Sequence, residues 1–167
     1  MKKFFPLSVA VYTLAIIFIS CKDDKGSNPE FIADASTFAG FSSWTVLAVD
    51  EGPDPALGPA HAGNDETVTR TVYIKENHDL KDGSLPVGTV IVKHTTNPDK
   101  AINEFTAMVK RGDNFNEGFG DWEFFMLNED GEIGMEGGAP LRGAALLNGA
   151  CRNCHSQASA SDFIFSK

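Results

Sequence analysis

Cysteine is scarce in this chain of 167 residues: there are three, and histidine numbers only four. Three cysteines cannot build the network of bridges that holds a small secreted domain together. Structural zinc normally draws on two close Cys or His pairs, and beyond Cys151 and Cys154 no second close pair exists. Basic residues are also in the minority, 14 Lys and Arg against 23 Asp and Glu, giving a net charge of -9. Such a surface repels nucleic acid and anionic lipid, so neither is expected as a partner, and no basic stripe offsets it. The one long apolar run, Phe4 to Ile19, is short for a membrane span. No internal repeat or low-complexity block occurs.

What is present begins with that run. Lys2 and Lys3 precede it as the basic start of a secretory signal, and Ser20-Cys21 ends it. A small residue followed by cysteine resembles the lipid-acceptor site of a bacterial lipoprotein, although Phe18 stands where leucine is usual; plain secretion is the alternative. Three segments follow from this: a signal peptide over 1–20, a lipidated Cys21 with a flexible tether over 21–30, and a folded domain over 31–167. The tether, Lys22 to Glu30, is polar and rich in Gly, Ser, Asn and Pro. The expected location is the periplasm or outer membrane of a Gram-negative bacterium, or its surface. The membrane is then an anchor rather than a substrate. The remainder suits one domain, and the whole chain's 42% hydrophobic residues with 13 Phe predict a packed, aromatic interior.

The remaining two cysteines belong to Cys151-Arg-Asn-Cys154-His155, the attachment pattern of c-type haem. Positions i and i+3 share a helix face, so both thiols can add to the vinyl groups of one haem edge. His155 then supplies the proximal iron ligand. A redox dithiol and half of a zinc site are the competing readings of the same residues. The cofactor expected is one covalently attached haem c. The residues after His155 (156–167) contain neither Met nor His. A sixth ligand must therefore come from upstream, from His61, His78, His94, Met108, Met126 or Met135, or the iron stays open.

Period-two alternation marks strands in the middle of the chain. Val68, Arg70, Val72 and Ile74 share one side of the segment Thr67 to Glu76. Arg70 is a cation on an apolar face and needs an anion, with a haem propionate, a nearby carboxylate or the sheet edge as candidates. Extended runs are expected over Trp44 to Val49, over Leu85 to Thr96, which is apolar on both faces and so central, and over Phe105 to Lys110 and Trp122 to Leu127. A short helix is expected from Asp34 to Phe41, with Asp34 as its cap. Glu51 to Glu66 is a loop by composition, where His61 reads as solvated, and Gly131 to Gly138 reads as flexible. A helix over Ala144 to Gln157 carries the haem motif. Strands followed by a C-terminal haem helix predict an α+β fold.

The segment Leu85-Pro-Val-Gly-Thr-Val-Ile-Val-Lys93, the Trp122-Glu-Phe124 strand, Cys-Arg-Asn-Cys-His and the closing Asp162-Phe-Ile-Phe165 together resemble the cytochrome P-460 family. The resemblance implies an antiparallel β-sheet packed with a few helices around a c-type haem, commonly as a homodimer. It implies one of two activities: hydroxylamine oxidation with a lysine cross-linked to the macrocycle, or NO and CO binding without that cross-link, as in cytochrome c′-β. A simple electron carrier is the third reading. Lys93 sits where the cross-linking lysine would be placed. Oxidation also needs a proton acceptor, for which Glu132 and Glu136 in the loop before the haem helix are the candidates, and a redox partner to take electrons. Phe105, Phe115, Phe119 and Phe125 are candidates either to cap the open side of the iron or to fill the core.

Overall fold

The alternation read from the sequence becomes a six-stranded antiparallel sheet in the computed structural model, which describes residues 30–76 and 83–165. The expected signal peptide, lipidated Cys21, nearly all of the tether and His78 lie outside the described residues. In chain order the strands are β1 (Thr45–Glu51), β2 (Thr69–Ile74), β3 (Val90–Thr96), β4 (Asn103–Lys110), β5 (Trp122–Leu127), β6 (Met135–Glu136), β7 (Ala139–Pro140) and β8 (Arg142–Gly143). The large sheet runs β1-β2-β3-β4-β5-β8, and β6 with β7 forms a separate two-stranded ribbon. β3 and β4 are the middle strands, which is why both their faces are apolar.

Each face carries its own core. On one face Val92, Phe105, Val109 and Phe125 pack under the N-terminal segment through Phe38 and Phe41. Phe38 meets Phe125 edge-on at 5.0 Å. On the other face Val72, Ile91, Met108 and Phe124 are covered by the C-terminal segment through Leu146 and Ile164. The side chains alternate between these two layers because strand residues point up and down in turn. Lys93, two residues beyond Ile91, therefore belongs to the C-terminal side.

Four segments differ from expectation. The helix expected over Ala144 to Gln157 shrinks to a single α-helix, α1 (Ala150–His155), with 3-10 turns at Leu146–Gly149 and Ser156–Ser161. Leu147, Asn148 and Gly149 are left-handed, at φ 51, 55 and 82, and no continuous α-helix passes through three such residues. Asp34 caps a turn rather than a helix, its carboxylate accepting from Ser36 N at 2.8 Å. β3 starts at Val90, not Leu85, because Pro86 and Gly88 (φ 90) form a turn closed by Thr89 N donating to Pro86 O. The segment read as flexible, Gly131 to Gly138, is tied down: Ile133 bridges to Leu127, and Met135 and Glu136 pair with Pro140 and Ala139. The resulting architecture is α+β, dominated by antiparallel sheet.

Candidate functional site

Cys151 and Cys154 lie three apart in α1, both half-buried, and both line a cavity of about 380 Å³ between that helix and the C-terminal face of the sheet. Val72, Ile91, Met108 and Phe124 form its floor. Burial raises the Cys151 thiol above its usual pKa, as an apolar setting does.

His155 is the last residue of α1 and faces the same cavity. Its Nδ1 lies 2.7 Å from the Phe163 carbonyl oxygen. A carbonyl only accepts, so Nδ1 carries the hydrogen and Nε2 keeps a free lone pair. Burial, helped by the charges of Lys93 and His61 and opposed by the Phe163 bond, pulls its pKa down to about 4. The ring is neutral at pH 7, the state in which imidazole binds a metal. The rings of Phe124 and Phe165 stand 5.5 Å and 5.4 Å from it.

Lys93 enters from β3, where it pairs with Val72 on β2 and Thr106 on β4. Burial pushes its amine below the usual 10.5, the charge of Arg70 adds to this, and Asp50, Glu104 and Cys154 oppose it. Glu104 lies diagonally across the β3–β4 ladder from Lys93 and lines the cavity too. A hydrogen-bonding contact with His61 lowers the Glu104 carboxyl, burial opposes, and the charges of His61 and Lys93 lower it further. His61 Nδ1 is 3.2 Å from Glu104 Oε1, a contact bent away from ideal hydrogen-bond geometry that becomes an ion pair when the imidazole is protonated.

The expected residues thus divide. Cys151, Cys154, His155 and Lys93 converge on one cavity. Arg70 does not line it: it is buried, and its guanidinium donates to the Gly52 carbonyl at 2.5 Å and, more weakly, to His61 O and Ala62 O. These carbonyls belong to the loop beside the cavity, and Asp50 stands directly opposite Arg70 on β1. Glu132 and Glu136 are exposed and outside the lining, because the β6–β7 ribbon holds that segment on the surface. The carboxylate on the cavity is Glu104, which the sequence reading passed over. His61, read as solvated, faces the cavity with its backbone at φ 49.

Of the sixth-ligand candidates, His61, Met108 and Met126 line the cavity. His94 instead stacks on Phe105 at 4.3 Å and bonds Asn103, and Met135 is 60% exposed. Phe105 fills the opposite core, Phe115 lies under Arg111, and Phe119 packs near Phe163. Phe125 reaches the lining, although its ring packs with Phe38 in the opposite core. Phe124 and Phe165 are the rings at the site.

The donor set decides what fits. Among the described residues no three His, Cys, Asp or Glu converge to cage a bare metal ion. Two thiols on one helix face, one oriented neutral imidazole and apolar walls suit a haem: thiols for its vinyl edge, Nε2 for iron, the cavity for the macrocycle.

The sequence model of a family described as Cytochrome P460 matches residues 39–166, a span that includes every residue of this cavity. No curated protein and no solved structure matches the chain. On that match over most of its length, the chain belongs to the cytochrome P460 family and is a haem protein of that kind.

Proposed function

We propose that this chain is a mono-haem c-type cytochrome that oxidises hydroxylamine, with Cys151 and Cys154 as thioether anchors and His155 as the axial ligand. The observation that carries the reading is that Lys93, Glu104 and His155 open onto one cavity. Haem held by Cys151, Cys154 and His155 would supply an electron acceptor and a site for the small nitrogen ligand. The protein does the rest. The apolar floor of Val72, Ile91, Met108 and Phe124 excludes bulk water. Oxidising hydroxylamine releases protons together with electrons, and the Glu104 carboxylate, held ionised by its neighbours, accepts the protons. His61 Nδ1, 3.2 Å away, shares the proton with Glu104, whose own side chain is 33% exposed and opens the way to solvent. Electrons leave to a redox partner, in a protein tethered through Cys21 to a membrane of the cell envelope and assembled as a homodimer.

Lys93 is assigned the covalent bond to the macrocycle. That bond would replace one N–H and one C–H, with two protons and two electrons passing to an external oxidant such as a peroxide. Burial favours the uncharged amine, the nucleophilic form.

Gas binding is the second reading, favoured by the apolar walls: Phe124 and Phe165 flank His155, and Val72, Ile91 and Met108 line the floor. The intact mass, ferrous spectrum and hydroxylamine turnover of protein matured with haem separate the two. A lysine–haem bond, a red-shifted band lost in Lys93→Ala, and turnover are expected. Covalent haem with an ordinary c-type spectrum, rapid NO and CO binding and no turnover would transfer the assignment to a gas binder. Absence of covalent haem overturns both.

A further inference from the structure

After α1 the chain returns to the sheet through Asp162 and Phe163, both left-handed at φ 51 and 65. Neither is glycine, so something must hold a backbone each residue resists. Asp162 is 4% exposed, and its carboxylate accepts from Lys110 Nζ at 2.7 and 2.9 Å, from Leu85 N at 2.8 Å and from Ser84 Oγ at 3.4 Å. Its own carbonyl accepts from the buried Trp122 Nε1 at 2.8 Å. The very next carbonyl, that of Phe163, is the one that receives His155 Nδ1–H. One peptide is clamped to the sheet, and its neighbour aims the imidazole.

Lys110 is 6% exposed, so both charges of the pair are desolvated. Such a pair contributes little net stability over apolar residues of the same shape. Its geometric consequence is larger: it sets where the Phe163 carbonyl points.

We propose that the buried Lys110–Asp162 pair is a positioning latch that fixes the tautomer and plane of His155 and thereby tunes the iron that His155 holds. The proposal rests on His155 being the axial ligand, and on nothing about hydroxylamine. A firm bond from Nδ1–H to a carbonyl makes Nε2 more basic, which strengthens the iron–nitrogen bond and favours ferric iron. Loosening the latch weakens that bond and raises the reduction potential.

The test uses two latch variants and a control. Asp162→Asn keeps the shape and an acceptor for Leu85 N but removes the charge that Lys110 pairs with. Trp122→Phe deletes the donor to the Asp162 carbonyl, together with part of a buried ring that Lys110 Nζ overlies at 5.2 Å, and the thermal midpoint registers that packing loss separately. The control is Glu123→Gln: Glu123 is 2% exposed and pairs with Arg142 and Arg111, on a strand position facing the opposite core. Midpoint potential, the iron–histidine stretch of the ferrous protein and the thermal midpoint are read for each. The nitrogen shifts of the His155 ring are read in haem-free protein. Both latch variants are expected to raise the potential and lower the stretch, and Asp162→Asn to mix the ring tautomers that the unaltered protein holds as Nδ1–H. Glu123→Gln lowers the thermal midpoint without moving potential or stretch. Unchanged potential and stretch in both latch variants, or an equal shift in Glu123→Gln, overturns the latch. If Asp162→Asn does not fold, Trp122→Phe decides by the same criterion. If His155 proves not to bind iron, the axial reading fails separately, and the haem-free tautomer alone decides the latch.

Discussion

His61 Nδ1 stands 3.2 Å from Glu104 Oε1 at the edge of the cavity that Lys93 and His155 also reach. The two belong to a loop and a strand far apart in sequence, and the contact fixes a carboxylate at the cavity.

Glu104→Gln removes that proton acceptor at nearly constant volume. Hydroxylamine turnover should fall by about 100-fold, the low end of what a positioned general base contributes. NO and CO binding should persist. Steady-state kinetics and ligand titration check this, and undiminished turnover would remove Glu104 from the chemistry.

The same carboxylate predicts a pH dependence. Its folded pKa lies below the ordinary 4.5, so its contribution to stability is fully present above that value and is lost as pH falls through the lower folded one. The difference in thermal midpoint between the haem-free parent and Glu104→Gln should be level at neutral pH and vanish as the solution is acidified below 4.5.

Lys93 has the opposite sign. Its folded pKa lies below 10.5, so a charged amine in the unfolded chain opposes folding at neutral pH, and the cost disappears as pH rises toward 10.5. Lys93→Met should therefore raise the thermal midpoint of the haem-free protein at pH 7, with a gain that shrinks under alkaline conditions. A gain independent of pH would mean that packing, not charge, is responsible.

Much of this arrangement is legible in the sequence. Alternation in Arg70, Val72 and Ile74 gave the buried face of β2, and Cys151, Cys154 and His155 announce themselves by spacing. Extending the β4 alternation back from Met108 puts Glu104 on the cavity face, but its proximity to Lys93 depends on cross-strand register, which alternation within one strand does not carry. The shortened haem helix did leave a signal, since Asn148-Gly149 is a turn dipeptide. Nothing local marks His61, because a loop's inward side chain is chosen by what it packs against.

Gly63 closes the turn that carries His61, and a Cβ there would come within 2.6 Å of Gly58 O and the Leu57 side chain. Gly63→Ala must displace that loop, at a cost of about 1–3 kcal/mol. Denaturant melts should register the loss, and hydroxylamine turnover should fall with it if His61 shares the Glu104 proton.

Arg70 allows a final discrimination, between a haem-binding and a loop-holding cation. Its guanidinium donates to Gly52 O, with longer contacts to His61 O and Ala62 O, and it is 2% exposed. Arg70→Met fills similar space but strands those carbonyls in a buried setting, where losing a charged donor costs about 2–4 kcal/mol. A residue recruited for a propionate would show its loss only after haem is attached. A residue that ties down the His61 loop shows it without haem, so the decisive comparison is the unfolding of haem-free parent and haem-free Arg70→Met. The variant should be destabilised there by the full amount. Arg70→Lys should recover little, since a single ammonium on a flexible stem cannot reproduce the fork that spans Gly52 and the His61–Ala62 peptide. Equal stability of the haem-free pair would return Arg70 to the propionate.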